Sequence, residues 1–435
     1  MMIKFDRYRN LEFSSPQEIR AAQEQLLQQH VKYLASKSPY YVRLFRDGGI
    51  EPPTVTLATL ATVPFTDRTA LGRFNEDFLA VSRAEIVDIV LSSGTTGKPT
   101  SMMYTENDLR RLAYNEEISF IGCGLTREDT VLLTCTIDRC FIAGLAYFSG
   151  VRKLGAAAIR NGLNSPESHL EMILRLKPTA IVGVPTFLLK LGRYIQSQGI
   201  NARSLGIRKL VCIGEPIRDR ALAFVKMGED LEEIWGSRIY STYASSETIT
   251  SFCECTAQQG GHLHPDLAVV EIVDDAGMVL APGEVGEVVV TPLQIQGMPL
   301  LRFRTGDVSF LREEPCSCGR FSPRLGPILG RKKQMIKFRG TTLYPNSLYA
   351  VLDSIPAITD YYVTASSDYE LADEIRVVVA VRDSECTAAV IMDRLQAHLR
   401  VRPTVIVATE EEVRKNVFAG KSRKPIRFID KRKSL

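Results

Sequence analysis

The chain has 435 residues, 45% of them hydrophobic and 24% charged, with a formal net charge of +4. That length exceeds what one hydrophobic core supports, so more than one domain is expected. The charge is too small for the chain's size to imply nucleic-acid binding, and no run of about 18 apolar residues suggests a membrane span.

Taken in order, Met1 to Asp6 carries no apolar signal-peptide core, so a cytoplasmic location is the expectation. Ser15-Pro16-Gln17-Glu18 is a capping box with proline at the first helical position. Apolar residues at Ile19, Ala22, Leu26, Leu27, Val31 and Leu34 then predict an amphipathic helix. The apolar run Ile86 to Leu91 predicts a buried strand, Thr100 to Tyr104 an extended segment, and Thr105 with Asp108 a helix start. Strand-like runs at Thr130–Cys135, Ala157–Ile159, Ala180–Val184 and Leu210–Ile213 alternate with helical stretches at 166–176 and 186–197. That alternation predicts a parallel sheet covered by helices. From 267 onward short strands and turns, such as Ala268–Val273, Asp274–Gly277 and Glu287–Thr291, predict an antiparallel or barrel-like subdomain. Beyond the basic connector Arg331-Lys332-Lys333, an α+β segment is expected. It holds helices near 345–354 and 387–400 and strands near 361–365, 375–381 and 404–408. The tail from Arg414 carries nine Lys or Arg against one Asp. The expected division is a large α/β domain over 1–330, with its antiparallel subdomain at about 250–329, and a small mobile α+β domain over 331–435.

The most telling stretch is Ser92-Ser93-Gly94-Thr95-Thr96-Gly97-Lys98-Pro99-Thr100. Its glycines, hydroxyls and lysine can surround a polyphosphate with backbone N–H, O–H and ammonium donors. It is not a Walker A loop, because two residues rather than four separate its glycines and a proline follows the lysine. Three further motifs follow in order. They are Gly214-Glu215-Pro216, then Tyr243-Ala244-Ser245-Ser246-Glu247-Thr248, then Arg304-Thr305-Gly306-Asp307, with Gly330-Arg331 and Lys337-Phe338-Arg339-Gly340 beyond.

Together these stretches resemble the adenylate-forming superfamily of acyl-CoA synthetases, adenylation domains and luciferases, with order and spacing nearest the phenylacetate–CoA ligase branch. The resemblance implies ATP-dependent activation of a carboxylic acid to an acyl-AMP, then transfer of the acyl group to a thiol. Residues Ser92 to Lys98 would hold the β- and γ-phosphates, and Glu247 would bind Mg²⁺. Tyr243 would lie against adenine, with Gly214-Glu215-Pro216 as the neighbouring wall and Ala244, Ser245 and Ser246 beside it. Asp307 would accept from both ribose hydroxyls, and Arg331 would assist at the ribose or phosphate. The small domain would swivel at Lys333, where many relatives carry Asp, and bring Lys337 to Gly340 over the adenylate. A lysine near the C-terminus would bridge carboxylate and α-phosphate. Gly420-Lys421 offers one candidate, and Arg427-Phe428-Ile429-Asp430, aligned with the branch's closing pattern, selects Lys424 instead.

The implied acceptor is CoA, or alternatively the phosphopantetheine arm of a carrier protein. Adenylylation without thioester formation, as in coenzyme F390 synthetase-like relatives, is a further alternative. The acyl pocket would draw on Asp138 to Gly144, on Gly214 and on the surroundings of Ala244. Phe141 and Phe148 there suit a small aromatic acid. Ala244 replaces the family's usual glycine, so the pocket is expected to differ, and Phe303 replaces its tyrosine. Neither a nucleic acid nor a membrane is an expected partner, and a homodimer stays open.

A second cluster comprises Cys253-Glu254-Cys255, His262, His264 and Cys316-Ser317-Cys318. Cys-x-Cys pairs near an imidazole are soft ligands suited to tetrahedral Zn²⁺. The set expected is Cys255, His262, Cys316 and Cys318, with Cys253 open as an alternative to Cys255, in a closed structural site. The remaining histidines, His30, His169 and His398, are expected to be ordinary surface or core residues, and Cys123, Cys135, Cys140, Cys212 and Cys386 to be packing residues.

Overall fold

Six strands build the sheet on which the first half of the chain is organised, in the spatial order Ala157–Arg160, Thr130–Leu133, Ala180–Gly183, Lys209–Ile213, Arg238–Ser245 and Thr250–Cys253. The first five are parallel and the sixth is antiparallel to its neighbour. The computed structural model describes residues 5–92, 100–338, 341–369, 372–399, 401–418 and 425–432. The parallel strands are near-continuous apolar runs because both of their faces are covered. Leu132, Ile181, Leu210 and Cys212 point to one side and pack with helices Pro166–Leu176, Pro185–Ser197 and Lys226–Trp235. Val131, Leu133, Val182, Val211 and Ile213 alternate to the other side and meet helices Glu106–Gly122 and Ile142–Leu154.

The chain divides into two compact units, Met1–Thr305 with Ser309–Pro327, and Gly306–Val308 with Ile328–Leu435. In the first, helix Pro16–Lys37 starts at the Ser15 capping box, and Thr105 with Asp108 caps helix Glu106–Gly122 in the same manner. Strands Ala268–Val273 and Gly286–Pro292 pair in antiparallel register, and Phe303–Ser309 lies next in their sheet. The two-residue strands Leu311–Arg312, Arg324–Leu325 and Gly261–His262 form a separate small sheet.

Strand Ile86–Leu91 forms where expected, but it is not buried. Val87, Ile89 and Leu91 are 56%, 46% and 43% exposed. The strand belongs to a two-stranded ribbon with Ser101–Thr105, and within it only the face carrying Val90 is covered, whereas its partner strand meets the core on both faces through Met102, Met103 and Tyr104. An apolar run alone cannot tell a strand covered on both faces from one with an open face. Cys140 likewise is exposed rather than packed.

In the second unit, strands Thr404–Ala408, Ala372–Val381, Ile358–Tyr369 and Phe428–Asp430 form a sheet in that order. The inner pair is antiparallel and each outer strand runs parallel to its neighbour. Helices Pro345–Asp353 and Ala388–Leu399 cover one face, where Leu348, Leu352, Ile391 and Leu395 meet Val363, Val377 and Val379. Helix Glu410–Val417 covers part of the other face through Val413 and Val417 on Val378 and Ala380. No helix among the described residues is long and apolar enough to cross a membrane.

Candidate active site

The turn after strand Arg238–Ser245 carries Glu247, whose side chain is only 6% exposed. Ser245 donates its Oγ–H to Glu247 Oε2 at 2.7 Å, and Arg68 donates Nε–H to Oε1 at 2.7 Å. Burial raises the carboxyl's proton affinity, but the Arg68 guanidinium and these hydrogen bonds more than offset it, so Glu247 is held below its ordinary value. A covered carboxylate kept ionised is an arrangement suited to a hard divalent cation. The adjoining Ser246 carbonyl accepts the Tyr104 hydroxyl at 2.8 Å. Tyr104 lies on the strand that leaves the phosphate-loop stretch, and Ser92 N–H donates to Thr100 O at 2.9 Å to close that loop's base. Ser93 to Lys98 themselves lie outside the described residues.

Gly214 follows the end of strand Lys209–Ile213 with φ +73°, a conformation that favours glycine. Because Ile213 pairs with Thr242, Gly214 and Tyr243 stand side by side at the carboxyl ends of adjacent parallel strands. Such strand ends are where open α/β sheets place their ligands. Tyr243 is half-buried against Phe252, centroid to centroid 6.3 Å, and Ala244 is exposed. Glu215 turns away: its carboxylate accepts the Thr186 N–H and O–H, each at 3.0 Å, in the first turn of helix Pro185–Ser197. It fixes the wall by tying one helix N-terminus to a neighbouring loop.

On the acyl-pocket side, Arg139 and Cys140 both adopt positive φ, 65° and 53°, and the Cys140 carbonyl accepts Leu91 N–H at 2.9 Å. Arg139 pairs with its neighbour Asp138 at 3.6 Å, Phe141 is 38% exposed, and Phe148 lies under the Arg160 guanidinium at 4.8 Å.

In the second unit, Asp307 and Arg331 face each other across paired strands, with Arg331 Nε 3.3 Å from Asp307 Oδ1. Asp307 is 7% exposed. Lys337 lies on strand Ile336–Phe338, while Lys421 and Lys424 fall outside the described residues.

The predicted soft-donor set converges. One ligand atom each from Cys255, His262, Cys316 and Cys318 lies within 4.8 Å of all the others. His262 Nδ1 contacts Ser322 Oγ at 3.0 Å, which aims Nε2 at Cys318 Sγ, 3.4 Å away. Arg320 Nη1 donates to Cys318 Sγ at 3.5 Å and its Nε donates to Glu12. Three thiols and one imidazole at these separations match the donors of a closed tetrahedral zinc site. Cys253 is not among them: its sulfur accepts the Thr242 hydroxyl at 3.1 Å. His264 is not either, being held between Glu12 and Ser119. Sequence reasoning passed over Arg68, Tyr104 and Ser322, whose partners lie 142 positions away for Tyr104 and 179 for Arg68.

The sequence pattern of the AMP-binding enzyme family matches residues 36–295. The chain belongs to the AMP-binding enzyme family. As a member it is an enzyme of the AMP-forming acid–thiol ligase class, on the phenylacetate–CoA ligase side of the adenylate-forming superfamily. It is 32% identical over 379 residues to a phenylacetate-coenzyme A ligase of Thermus thermophilus, covering 86% of this chain and 84% of that protein. The phenylacetate-coenzyme A ligase of Escherichia coli K12 is 27% identical over 388 residues, covering 87% and 86%. In fold, the AMP-binding enzyme is similar to a crystal structure of 2-hydroxyisobutyryl-CoA ligase in complex with 2-HIB-AMP. The TM-score is 0.86 at 22% identity, over 99% of this chain and 94% of that one.

Proposed function

We propose that this AMP-binding enzyme activates an aromatic carboxylic acid with ATP and transfers the acyl group to CoA. The observation that carries the reading is the covered, ionised Glu247, fixed by Arg68 and Ser245 and joined through Ser246 and Tyr104 to the strand leaving the phosphate loop. The phenylacetate-coenzyme A ligases of Thermus thermophilus and Escherichia coli support an aryl acid and CoA as the two co-substrates.

In the first half-reaction a carboxylate oxygen of the acid attacks the α-phosphorus, the bond to the bridging oxygen breaks, and pyrophosphate leaves with that electron pair. The chain contributes positioning and charge. Ser92 to Lys98 hold the β- and γ-phosphates, Tyr243 and the Gly214–Pro216 wall hold adenine, and Asp307 with Arg331 holds the ribose. Glu247 would hold Mg²⁺, which would supply charge neutralisation to the triphosphate. Lys424, with Lys421 as its competitor, bridges the carboxylate and the α-phosphate. In the second half-reaction the CoA sulfur attacks the acyl carbonyl, the bond to the AMP phosphate oxygen breaks and AMP departs, and Lys337 serves this thioester-forming step. Asp138 to Gly144, Gly214 and Ala244 line the acid. Zinc held by Cys255, His262, Cys316 and Cys318 has a structural task only, and the enzyme works in the cytoplasm.

The test is an ATP–pyrophosphate exchange screen across aromatic acids, followed by CoA and mass spectrometry of the product. Exchange with an aryl acid and an aryl-CoA product is the expected result. Thioester formed only on a carrier protein would move the acceptor, and a stable AMP adduct that no thiol discharges would replace the second half-reaction. Exchange with no acid would refute the reading.

A further inference from the structure

We infer that Arg68 is a positioning residue for the nucleotide site, serving as the chain's own counter-cation to Glu247 and sharing that carboxylate with the divalent cation that accompanies ATP. The inference rests on the function proposed above. Arg68 lies on a short helix, Arg68–Arg73, outside every motif that points to nucleotide chemistry.

Its delivery is built with care for register. Thr66 forms a parallel bridge to Phe303, with Thr66 N–H donating to Arg302 O at 3.1 Å and Arg304 N–H donating to Thr66 O at 2.8 Å. The Thr66 hydroxyl adds a third link, to Leu301 O at 2.7 Å. This segment is thus pinned beside strand Phe303–Ser309 before the helix begins. Asp67 then caps that helix by accepting Ala70 N–H at 2.8 Å, which fixes Arg68 as its first residue. From there the guanidinium reaches two remote acceptors at once, Glu247 Oε1 through Nε and Thr305 O through Nη1, both at 2.7 Å. A planar fork can serve two acceptors in fixed directions, which an ammonium on a flexible stem does less well. The Arg68 side chain stays 38% exposed beside a carboxylate that is nearly covered.

The charge arithmetic gives this pair a function. A bare carboxylate would attract a divalent cation but repel a triphosphate that arrived without one. With Arg68 at 2.7 Å the pair is formally neutral, so the site tolerates the polyanion, and Thr305 keeps the guanidinium in place when a metal takes part of the carboxylate's charge. Removing Arg68 therefore makes the site more dependent on the metal. Metal-free ATP meets an uncompensated negative charge, while Mg²⁺ loses a competitor. Lost packing alone would weaken both forms of the nucleotide alike.

The experiment measures dissociation constants of ATP by calorimetry on the full chain, with Mg²⁺ and with chelator. It compares wild type, Arg68→Ala, Arg68→Lys and the double variant Arg68→Ala with Glu247→Gln. The ratio of metal-free to Mg²⁺-bound constants is expected to rise about tenfold in Arg68→Ala, the size of one lost charge pairing. Arg68→Lys, which keeps the charge, should hold the ratio near wild type, and the double variant should abolish the rise because the charge it exposes is gone. An unchanged ratio in Arg68→Ala, or the same rise in the Glu247→Gln background, would overturn the inference while leaving wild-type pyrophosphate exchange, and so the proposed function, intact. A wild type that binds no ATP would refute both.

Discussion

The sulfurs of Cys255 and Cys316 lie 3.7 Å apart in the protein interior, although 61 positions separate them in the chain. His262 and Cys318 complete the group from a two-residue strand and a turn, elements too short to hold such a geometry by backbone hydrogen bonds alone. A metal ion is the natural cross-link for a lobe of this kind, because its binding free energy becomes folding free energy.

The first prediction is therefore that the purified chain carries about one equivalent of zinc. Cys316→Ala should lose it and lower the urea midpoint, while Cys253→Ala should keep the full equivalent. Plasma emission spectroscopy of both variants beside wild type checks this, and retention of zinc by Cys316→Ala would dissociate the cluster from metal binding.

The legibility of the chain follows the same division between local and remote information. Capping at Ser15 and Thr105, four of the five parallel strands, and helices Pro166–Leu176 and Pro185–Ser197 were readable, since each depends on a few adjacent residues. Helix Glu410–Val417 carries an equally local signal, a capping box at Thr409 and Glu412, but its three consecutive glutamates hid the apolar stripe of Val413 and Val417. The exposed face of Ile86–Leu91 was not readable, because exposure depends on which sheet a strand joins. The choice of Cys255 over Cys253 was not readable either. Both stand near the end of strand Thr250–Cys253, and only the fold sends one thiol to Thr242 and the other to Cys316. Arg68 carries no motif at all; its meaning is its distance from Glu247.

The second prediction concerns the loop before helix Ile142–Leu154. A Cβ added at Gly144 would come 2.0 Å from the Thr136 carbonyl oxygen, a backbone atom that cannot swing away. Gly144→Ala should destabilise the first unit by about 3 kcal/mol or more and displace Asp138 to Ile142. Gly206→Ala is the control: its φ is +77° but nothing lies within 4 Å, so it should cost only about 1 kcal/mol. Urea denaturation of the two variants separates crowding from backbone strain, and equal losses would contradict the close approach.

The third prediction separates the two C-terminal lysines. An ammonium that bridges carboxylate and α-phosphate acts only while the mixed anhydride forms. Lys424→Ala should lower acid-dependent pyrophosphate exchange by about 100-fold or more while leaving CoA thioester formation from supplied acyl-AMP near wild type. Lys421→Ala should leave exchange within a few-fold of wild type. The reverse pattern would transfer the role to Lys421.

The fourth prediction comes from Glu116, buried on helix Glu106–Gly122 where that helix approaches helix Ile142–Leu154 so closely that a Cβ at Gly150 would sit 2.3 Å from Glu116 Cβ. Its Oε2 has no hydrogen-bond partner among the described residues. Burial pushes the carboxyl up to about 7, and the hydrogen bond with Ser251 only partly opposes this. Between its ordinary value of 4.5 and about 7 the folded chain keeps a proton that the unfolded chain releases. The Glu116 contribution to stability must then fall as pH rises through that window and level off above it, by about 3 kcal/mol in all. Glu116→Gln keeps the shape and cannot ionise. Relative to wild type it should therefore gain stability steadily from pH 5 to pH 7 and hold the gain at pH 8. Urea midpoints of the two proteins across that range supply the measurement, and curves that stay parallel would mean that Glu116 is ionised in the fold and has found a partner for its charge.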